Sequence, residues 1–516
     1  MQARSGTHGQ TPPDAGAASP SAAQASTSGA APFDPWLQAR AAWEVWTAGG
    51  CSEAGIARLA AARLRELLVA ALACPLQAQR LRRAAGLGPE VAPGSLQERA
   101  RVADLPLDAI EPIGRARMMA DFDEACTDRC ITLDAVNRFL ADSGRLGEAF
   151  LGRYAVWTSS GTTGTPGIWV HDTGSLAVYD ALESIRLGGL DRPEAGLRWL
   201  DGLIRTPFAG PARYAMVGAT GGHFAGSASV ERLRRLAPWA ADRVRTLSIM
   251  QPLPDLVREL AAYAPEILAT YPTAAEVLAA EQEAGRLSIH PRQILVGGEQ
   301  LSPSVRAAVS RAFGCPVRQG YGASECMSIA WDCGHGSLHV NADWVLLEPV
   351  DRQGRAVPPG EASHTVLLTD LANRVQPVIR YDLGDSVTLL PERCACGSHF
   401  PRIRIEGRRD DVLEFDGPHG TVRLLPLALV TVMEDDAQAF AFQLVARDRR
   451  SLVLRVEPQG DGRSARQLHA DCRLALRGYL DGHGLTSVRV LHDPAPPARE
   501  PVSGKLRRVL QARRAA

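Results

Sequence analysis

The sequence predicts an α/β protein built as a large, multi-sheet N-terminal domain followed by a small α+β domain at the C-terminus. Between about residues 154 and 370, short β-type runs alternate with helical stretches, the texture of sheets covered by helices. The chain has 516 residues, too many for a single core at a prior of roughly 150 residues per domain. The last hundred residues carry their own strand, strand and helix pattern.

In chain order, residues 1–34 are mostly Ala, Ser, Gly, Thr, Gln and Pro and cannot bury enough apolar surface to order themselves, so they read as a disordered tail. From Trp36 to about Gly86, Leu59, Arg63, Leu64, Leu67, Leu68 and Leu72 recur at three- and four-residue spacing and predict an amphipathic helix pair. Strands are expected at Tyr154–Thr158, Tyr214–Gly218, Ile267–Tyr271, Gln293–Val296, Val317–Tyr321 and Thr365–Thr369. Helices are expected at Pro254–Tyr263, Ala274–Gly285 and Ser302–Phe313. The C-terminal unit should hold strands near Phe440–Ala446 and Ser451–Val456 and a helix near Arg466–Gly482.

Composition narrows the function. Basic and acidic residues balance at 57 each, so no bulk positive field is present to hold nucleic acid or an anionic membrane. No apolar run reaches the roughly 18–20 residues that span a bilayer. Ten scattered cysteines in a long chain fit a reducing, cytoplasmic setting, with paired thiols acting as metal ligands rather than disulfides. Of the 57 basic residues, 56 are arginine and one is lysine, Lys505. Lys is a compact, flexible point charge and Arg a planar fork, so a lone Lys in this background either performs a task that Arg cannot or falls by chance on a surface near the C-terminus.

The strand Tyr154–Thr158 runs directly into Ser159, Ser160, Gly161, Thr162, Thr163, Gly164, Thr165, Pro166 and Gly167. Small residues let the backbone approach a polyphosphate, and hydroxyls add donors around its oxygens. The Gly-Lys-Ser/Thr ending of the nucleotide-triphosphatase loop is missing. An ordinary surface turn would use the same residue types.

Ser-Ser-Gly-Thr-Thr-Gly-x-Pro resembles the phosphate-binding motif of the adenylate-forming superfamily of acyl-CoA synthetases and adenylation domains. Four further segments resemble that family's motifs, in its order: Tyr321-Gly322-Ala323-Ser324-Glu325, Arg380-Tyr381-Asp382-Leu383-Gly384-Asp385, Gly407-Arg408-Arg409-Asp410-Asp411 and Pro501-Val502-Ser503-Gly504-Lys505. Three positions depart from its commonest patterns: Thr165 is often Lys there, Asp382 often Arg or Lys, and Leu383 often Thr. The resemblance implies an adenylation domain over 35–409 and a mobile C-terminal domain over 410–516 that turns about a hinge at Asp410.

It also implies roles. Ser159, Ser160, Gly161, Thr162, Thr163 and Gly164 would cradle the phosphates of ATP. Ser324 would bond the α-phosphate and Glu325 would hold Mg²⁺, a hard cation that takes one or two carboxylates beside phosphate oxygens. Tyr321 and Gly322 would border the nucleotide, Asp385 would accept from the ribose hydroxyls, and Arg408 would contact the same region. Gly298 and Glu299, in Gly297-Gly298-Glu299-Gln300, resemble the adenine-site loop, although two glycines after a strand also make a plain turn. Lys505 falls on the catalytic lysine position, where its ammonium would balance charge on the attacking carboxylate and the α-phosphate.

Two clusters of soft ligands remain: Cys333 and His339, then Cys394-Ala395-Cys396-Gly397. Cys₃His is a closed structural zinc set, with buried free thiols as the alternative and His335 competing with His339. The phenylacetate–CoA ligase branch carries similar Cys and His positions, so the resemblance implies structural Zn²⁺ there. Residues Gly218–Gly226 lie where the family builds part of its acyl pocket and resemble most closely a subgroup related to enzymes that adenylylate a deazaflavin coenzyme. His223 and Phe224 are therefore pocket candidates, and a surface glycine loop is the other reading. Trp157, Tyr271 and Trp331 could line an aromatic slot, but such residues more often belong to a core.

The expected function is ATP-dependent activation of a carboxylic acid, aryl or arylacetic, as an acyl-adenylate, followed by transfer to the thiol of CoA. A carrier-protein phosphopantetheine is an alternative acceptor. Adenylylation of a phenol-like hydroxyl without thioester formation is the alternative reaction.

Overall fold

A computed structural model describes residues 32–159, 167–189, 212–220, 222–249, 251–408, 412–418, 420–424, 426–458, 464–499 and 506–512. The N-terminal helices begin where Asp34 caps Pro35–Ala48, accepting from the Trp36 and Leu37 N–H groups. Asp34 therefore belongs to this helix rather than to the tail. Three helices, not two, fill the region to Gly86: Pro35–Ala48, Glu53–Ala71 and Pro75–Ala84. Pro75 explains the third, since proline lacks the N–H a helix interior needs but fits a first turn.

Strands β1 (Ala155–Thr158) and β2 (Ile168–His171) form an antiparallel hairpin, with Trp157 opposite Trp169. The principal sheet follows, nine strands among the described residues. One half is parallel: β3 (Tyr214–Gly218), β4 (Val244–Ser248), β5 (Ile267–Thr270), β6 (Gln293–Val296) and β7 (Val317–Ala323). Helices Leu253–Tyr263, Pro272–Glu283 and Pro303–Phe313 connect these strands, each opening with proline in its first turn. Leu268, Ile294 and Val309 are fully buried in the core between them.

The other half is antiparallel. β8 (Cys326–Asp332) folds back on β7, β9 (Leu338–Val340) pairs with β8, and β14 (Arg402–Arg408) joins β9 to β13 (Asp385–Leu390). A separate three-stranded sheet holds β10 (Val345–Val350), β11 (Thr365–Asp370) and β12 (Tyr381–Asp382). After the short hairpin β15 (Leu413–Gly417) and β16 (Gly420–Leu424), the C-terminal unit has its own core under the order β19-β18-β17-β20. These are Arg489–His492, Ser451–Val456, Phe442–Asp448 and Val509–Gln511, packed on helix Ala465–Gly482. No described helix is long and apolar enough to cross a membrane.

Candidate active site

In open parallel sheets, ligands bind beyond the carboxyl ends of the strands. Several of the candidate residues lie at or beyond such ends. Gly298 and Glu299 come after β6, Tyr321 and Gly322 close β7, and Ser324 and Glu325 follow it. A Cβ on Gly297 would lie 3.1 Å from the Gly320 carbonyl oxygen, so the Gly297–Gln300 loop runs against β7. Gly298 sits at φ +75°, which favours glycine. Glu299 accepts from the Thr273 N–H at 3.1 Å and its hydroxyl at 2.7 Å, placing a carboxylate at the start of helix Pro272–Glu283.

Ser324 and Glu325 form the whole connection between β7 and β8, because Ala323 and Cys326 are ladder partners. Gly322 allows the register shift beside them: a Cβ there would sit 1.8 Å from the Met327 carbonyl oxygen. Glu325 is 3% exposed. Its Oε1 accepts from the Tyr381 hydroxyl at 2.8 Å and lies 3.5 Å from the Arg115 guanidinium. The Tyr321 hydroxyl donates to Asp385 Oδ2 at 2.8 Å, and Asp385 stands opposite Arg408 in the β13–β14 ladder. Four separate sequence motifs thus meet at one edge of the sheet.

The Ser/Thr/Gly loop rises from the β1–β2 hairpin. Its base is closed by the Ser159 N–H to the Gly167 carbonyl at 2.9 Å and the Gly167 N–H to Ser159 Oγ at 2.8 Å. Ser160, Gly161, Thr162, Thr163 and Gly164 lie outside the described residues. Beneath the base, the buried Trp169 Nε1 has no hydrogen-bond partner among the described residues, and a Cβ on Gly167 would come within 2.7 Å of it. His223 and Phe224 border this loop through their backbone: the His223 carbonyl accepts from the Thr158 N–H at 2.7 Å. The His223 ring packs on Phe139, with Nε2 3.2 Å from the Asp142 carbonyl, so it is a core side chain. Trp157 and Trp331 are likewise buried, and the Tyr271 hydroxyl accepts from the Ala219 N–H.

Lys505 and Asp410 fall outside the described residues. Leu506, one peptide bond beyond Lys505, donates its N–H to Glu299 Oε1 at 3.3 Å. Arg508 then pairs with Glu276 at 2.7 Å and with buried Glu434, while Ser304 donates to Glu434 at 2.6 Å. The segment that follows Lys505 therefore touches the Gly297–Gln300 loop through Leu506.

Cys333, His339, Cys394 and Cys396 converge, their ligand atoms all within 4.8 Å of one another. Cys333 and Cys394 sulfurs are 3.5 Å apart, and Cys396 Sγ is 3.3 Å from His339 Nε2. His339 Nδ1 faces the Phe400 carbonyl at 2.8 Å, which puts the proton on Nδ1 and leaves Nε2 free to ligate. Three thiols and an oriented imidazole fit a closed tetrahedral zinc site. His335 is exposed and stands outside this cluster.

Sequence reasoning missed Arg115 and assigned no role to His171 or Trp169. Tyr381 lies inside the Arg380–Asp385 segment, but nothing in its spacing shows that it reaches Glu325.

The fold is that of the adenylate-forming enzymes, and residues 244–364 match the family model described as AMP-binding enzyme. The structure of 2-hydroxyisobutyryl-CoA ligase in the postadenylation state with R3-HIB-AMP aligns over 88% of this chain and 89% of that one, with TM-score 0.59 and 19% identity. The same enzyme with 2-HIB-AMP gives TM-score 0.58 over the same shares, at 19% identity. A stretch of 163 residues is 28% identical to Protein CapK of Staphylococcus aureus, covering 31% of this chain. The chain spans about a third, 34%, of the length of that curated relative.

Proposed function

We propose that the protein is an AMP-forming acid–thiol ligase acting on an aryl or arylacetic acid, with an adenylation domain over 35–409 and a turning C-terminal domain over 410–516. The observation that carries this reading is the meeting of the Ser324–Glu325 turn, Tyr321 with Asp385, and the Gly298–Glu299 loop at the carboxyl edge of one sheet. The aryl preference rests on the similarity to phenylacetate–CoA ligases at Cys333, His339, Cys394 and Cys396.

In the first half-reaction a substrate carboxylate oxygen attacks the α-phosphorus of ATP, and the bond to pyrophosphate breaks. This chemistry calls for positioning and charge neutralisation rather than a protein nucleophile. The Ser159–Gly164 loop would hold the phosphates, Ser324 the α-phosphate, and Asp385 with Arg408 the ribose. Glu325 would hold Mg²⁺, which shields phosphate charge when bound; Arg115 and Tyr381 hold this carboxylate in place. Lys505 would neutralise charge between the carboxylate and the α-phosphate. In the second half-reaction, after rotation at Asp410, the thiol sulfur of CoA attacks the acyl carbon and the bond to AMP breaks. Zinc at the Cys₃His cluster would be structural.

ATP–pyrophosphate exchange over a panel of carboxylates, followed by thiol acceptors on the best acid, tests the proposal. Exchange with an aryl acid and AMP release that requires CoA are expected. Transfer of AMP to a hydroxyl acceptor, with release of pyrophosphate and no need for thiol, would overturn it.

A further inference from the structure

A two-residue hairpin turn ordinarily takes residues with positive φ, because only the primed turns match the twist of the flanking strands. The Ser324–Glu325 turn does not: neither residue has positive φ. Contacts from outside the hairpin also hold its shape. The Ser324 carbonyl oxygen accepts from Trp157 Nε1 at 2.8 Å and lies 3.1 Å from His171 Nε2. The other imidazole nitrogen, Nδ1, is 3.3 Å from the Asn373 side-chain amide Nδ2, which can only donate. Asn373 Oδ1 is taken by the Val375 N–H, which fixes the amide's orientation. His171 therefore carries its proton on Nε2 and donates it to Ser324. Complete burial supports this, lowering the His171 pKa to about 3 and keeping the ring neutral.

Both donors belong to the β1–β2 hairpin. Their rings stack at 4.2 Å between centroids, so each holds the other in place. The strands that carry the Ser/Thr/Gly loop thus also grip the backbone of the turn that presents Ser324 and Glu325. We propose that Trp157 and His171 are positioning residues for that turn, making the β1–β2 hairpin strands and the Ser324–Glu325 turn one rigid unit with fixed spacing. The catalytic consequence rests on the reading given under Proposed function; the mechanical one does not.

Trp157→Phe removes the indole N–H while keeping a ring on His171, and His171→Leu removes the second donor. His171→Gln places an amide N–H near the position of Nε2. In ATP–pyrophosphate exchange with the best acid, each donor deletion should lower kcat about tenfold while KM for ATP shifts less than about threefold, the pattern of an interaction that matters chiefly in the transition state. His171→Gln should recover most of the loss. The double variant should lose more than the product of the singles, since it leaves the Ser324 carbonyl with neither donor. Unchanged kcat in both single variants, or His171→Gln as slow as His171→Leu, would overturn the proposal. Amide hydrogen exchange gives a readout that needs no turnover: Trp157→Phe should speed exchange in residues 322–328 and leave the C-terminal unit unchanged. Wild-type exchange rates at 322–328 would overturn the clamp even if no acid proved to be a substrate. A wild-type protein inactive with every acid, but with exchange accelerated in the variant, would sink only the enzymatic reading.

Discussion

The Tyr381 hydroxyl donates to Glu325 Oε1 at 2.8 Å, joining a residue of the three-stranded sheet to the turn at the end of the principal one. Tyr381 is 1% exposed and packs edge-on against Trp169 at 5.4 Å, so its position is fixed by packing before it bonds. A hydrogen bond to a buried carboxylate contributes roughly 1.5–3 kcal/mol. Tyr381→Phe keeps the packing and removes the donor. It should slow ATP–pyrophosphate exchange about tenfold or more and raise the Mg²⁺ concentration needed for half-maximal rate. A variant with wild-type rate and Mg²⁺ dependence would show that the bond does not tune Glu325.

Gly322 offers a sharper steric test. A methyl carbon at this position would lie 1.8 Å from the Met327 carbonyl oxygen, so Gly322→Ala cannot be accommodated without moving the β7–β8 backbone. Exchange activity should drop by at least about 100-fold, with a loss of stability of a few kcal/mol of the kind overpacking brings. Wild-type melting and activity together would mean the hairpin is looser than this geometry implies.

The contact between Arg508 and Glu276 should be pH-sensitive. Burial, opposed by the Arg508 guanidinium and reinforced by Glu434 and Glu299, pushes this carboxyl from 4.5 up to about 7. The folded state thus holds a proton that the unfolded chain has released. Its stabilising contribution is complete below the unfolded pKa and is lost as pH rises through about 7. From these two values, unfolding free energy should fall by about 1 kcal/mol between pH 6 and pH 8 because of this group. Glu276→Gln should remove that part of the pH dependence in denaturant titrations; an unaltered difference would assign it to other groups.

The Cys₃His cluster predicts about one zinc per chain by elemental analysis. Cys394→Ser should abolish it and lower the melting temperature, because the four ligands tie the end of β8 and β9 to the segment entering β14. Purified protein free of zinc, with all three thiols reactive, would count against the site.

What the sequence made legible follows from distance along the chain. Tyr214–Gly218, Gln293–Val296 and Ser451–Val456 are readable to the residue because each is a short apolar run with glycine or charged and polar residues close by. The ligand types at Cys333, His339, Cys394 and Cys396 are readable too, since thiols and imidazoles announce their chemistry wherever they fall. Arg115 is not. It meets Glu325 across 210 residues through packing alone, and no periodicity encodes a contact of that kind. His171 is hidden for the same reason: a lone histidine in an apolar strand reads as core until Asn373 and Ser324 are seen on either side of it.

Lys505 carries the last prediction. The chain uses arginine at every other basic position, and the residue after Lys505 bonds to Glu299 beside β7. An ammonium at this place would act on charge that develops as the carboxylate attacks, more than on bound ATP. Lys505→Ala should therefore reduce pyrophosphate release by at least about 100-fold while ATP affinity falls only a fewfold. Lys505→Arg should recover little, since a planar fork cannot slip between two oxygens of different groups as an ammonium does. Pyrophosphate release near wild type in Lys505→Ala, or full recovery by Lys505→Arg, would detach the lone lysine from the chemistry.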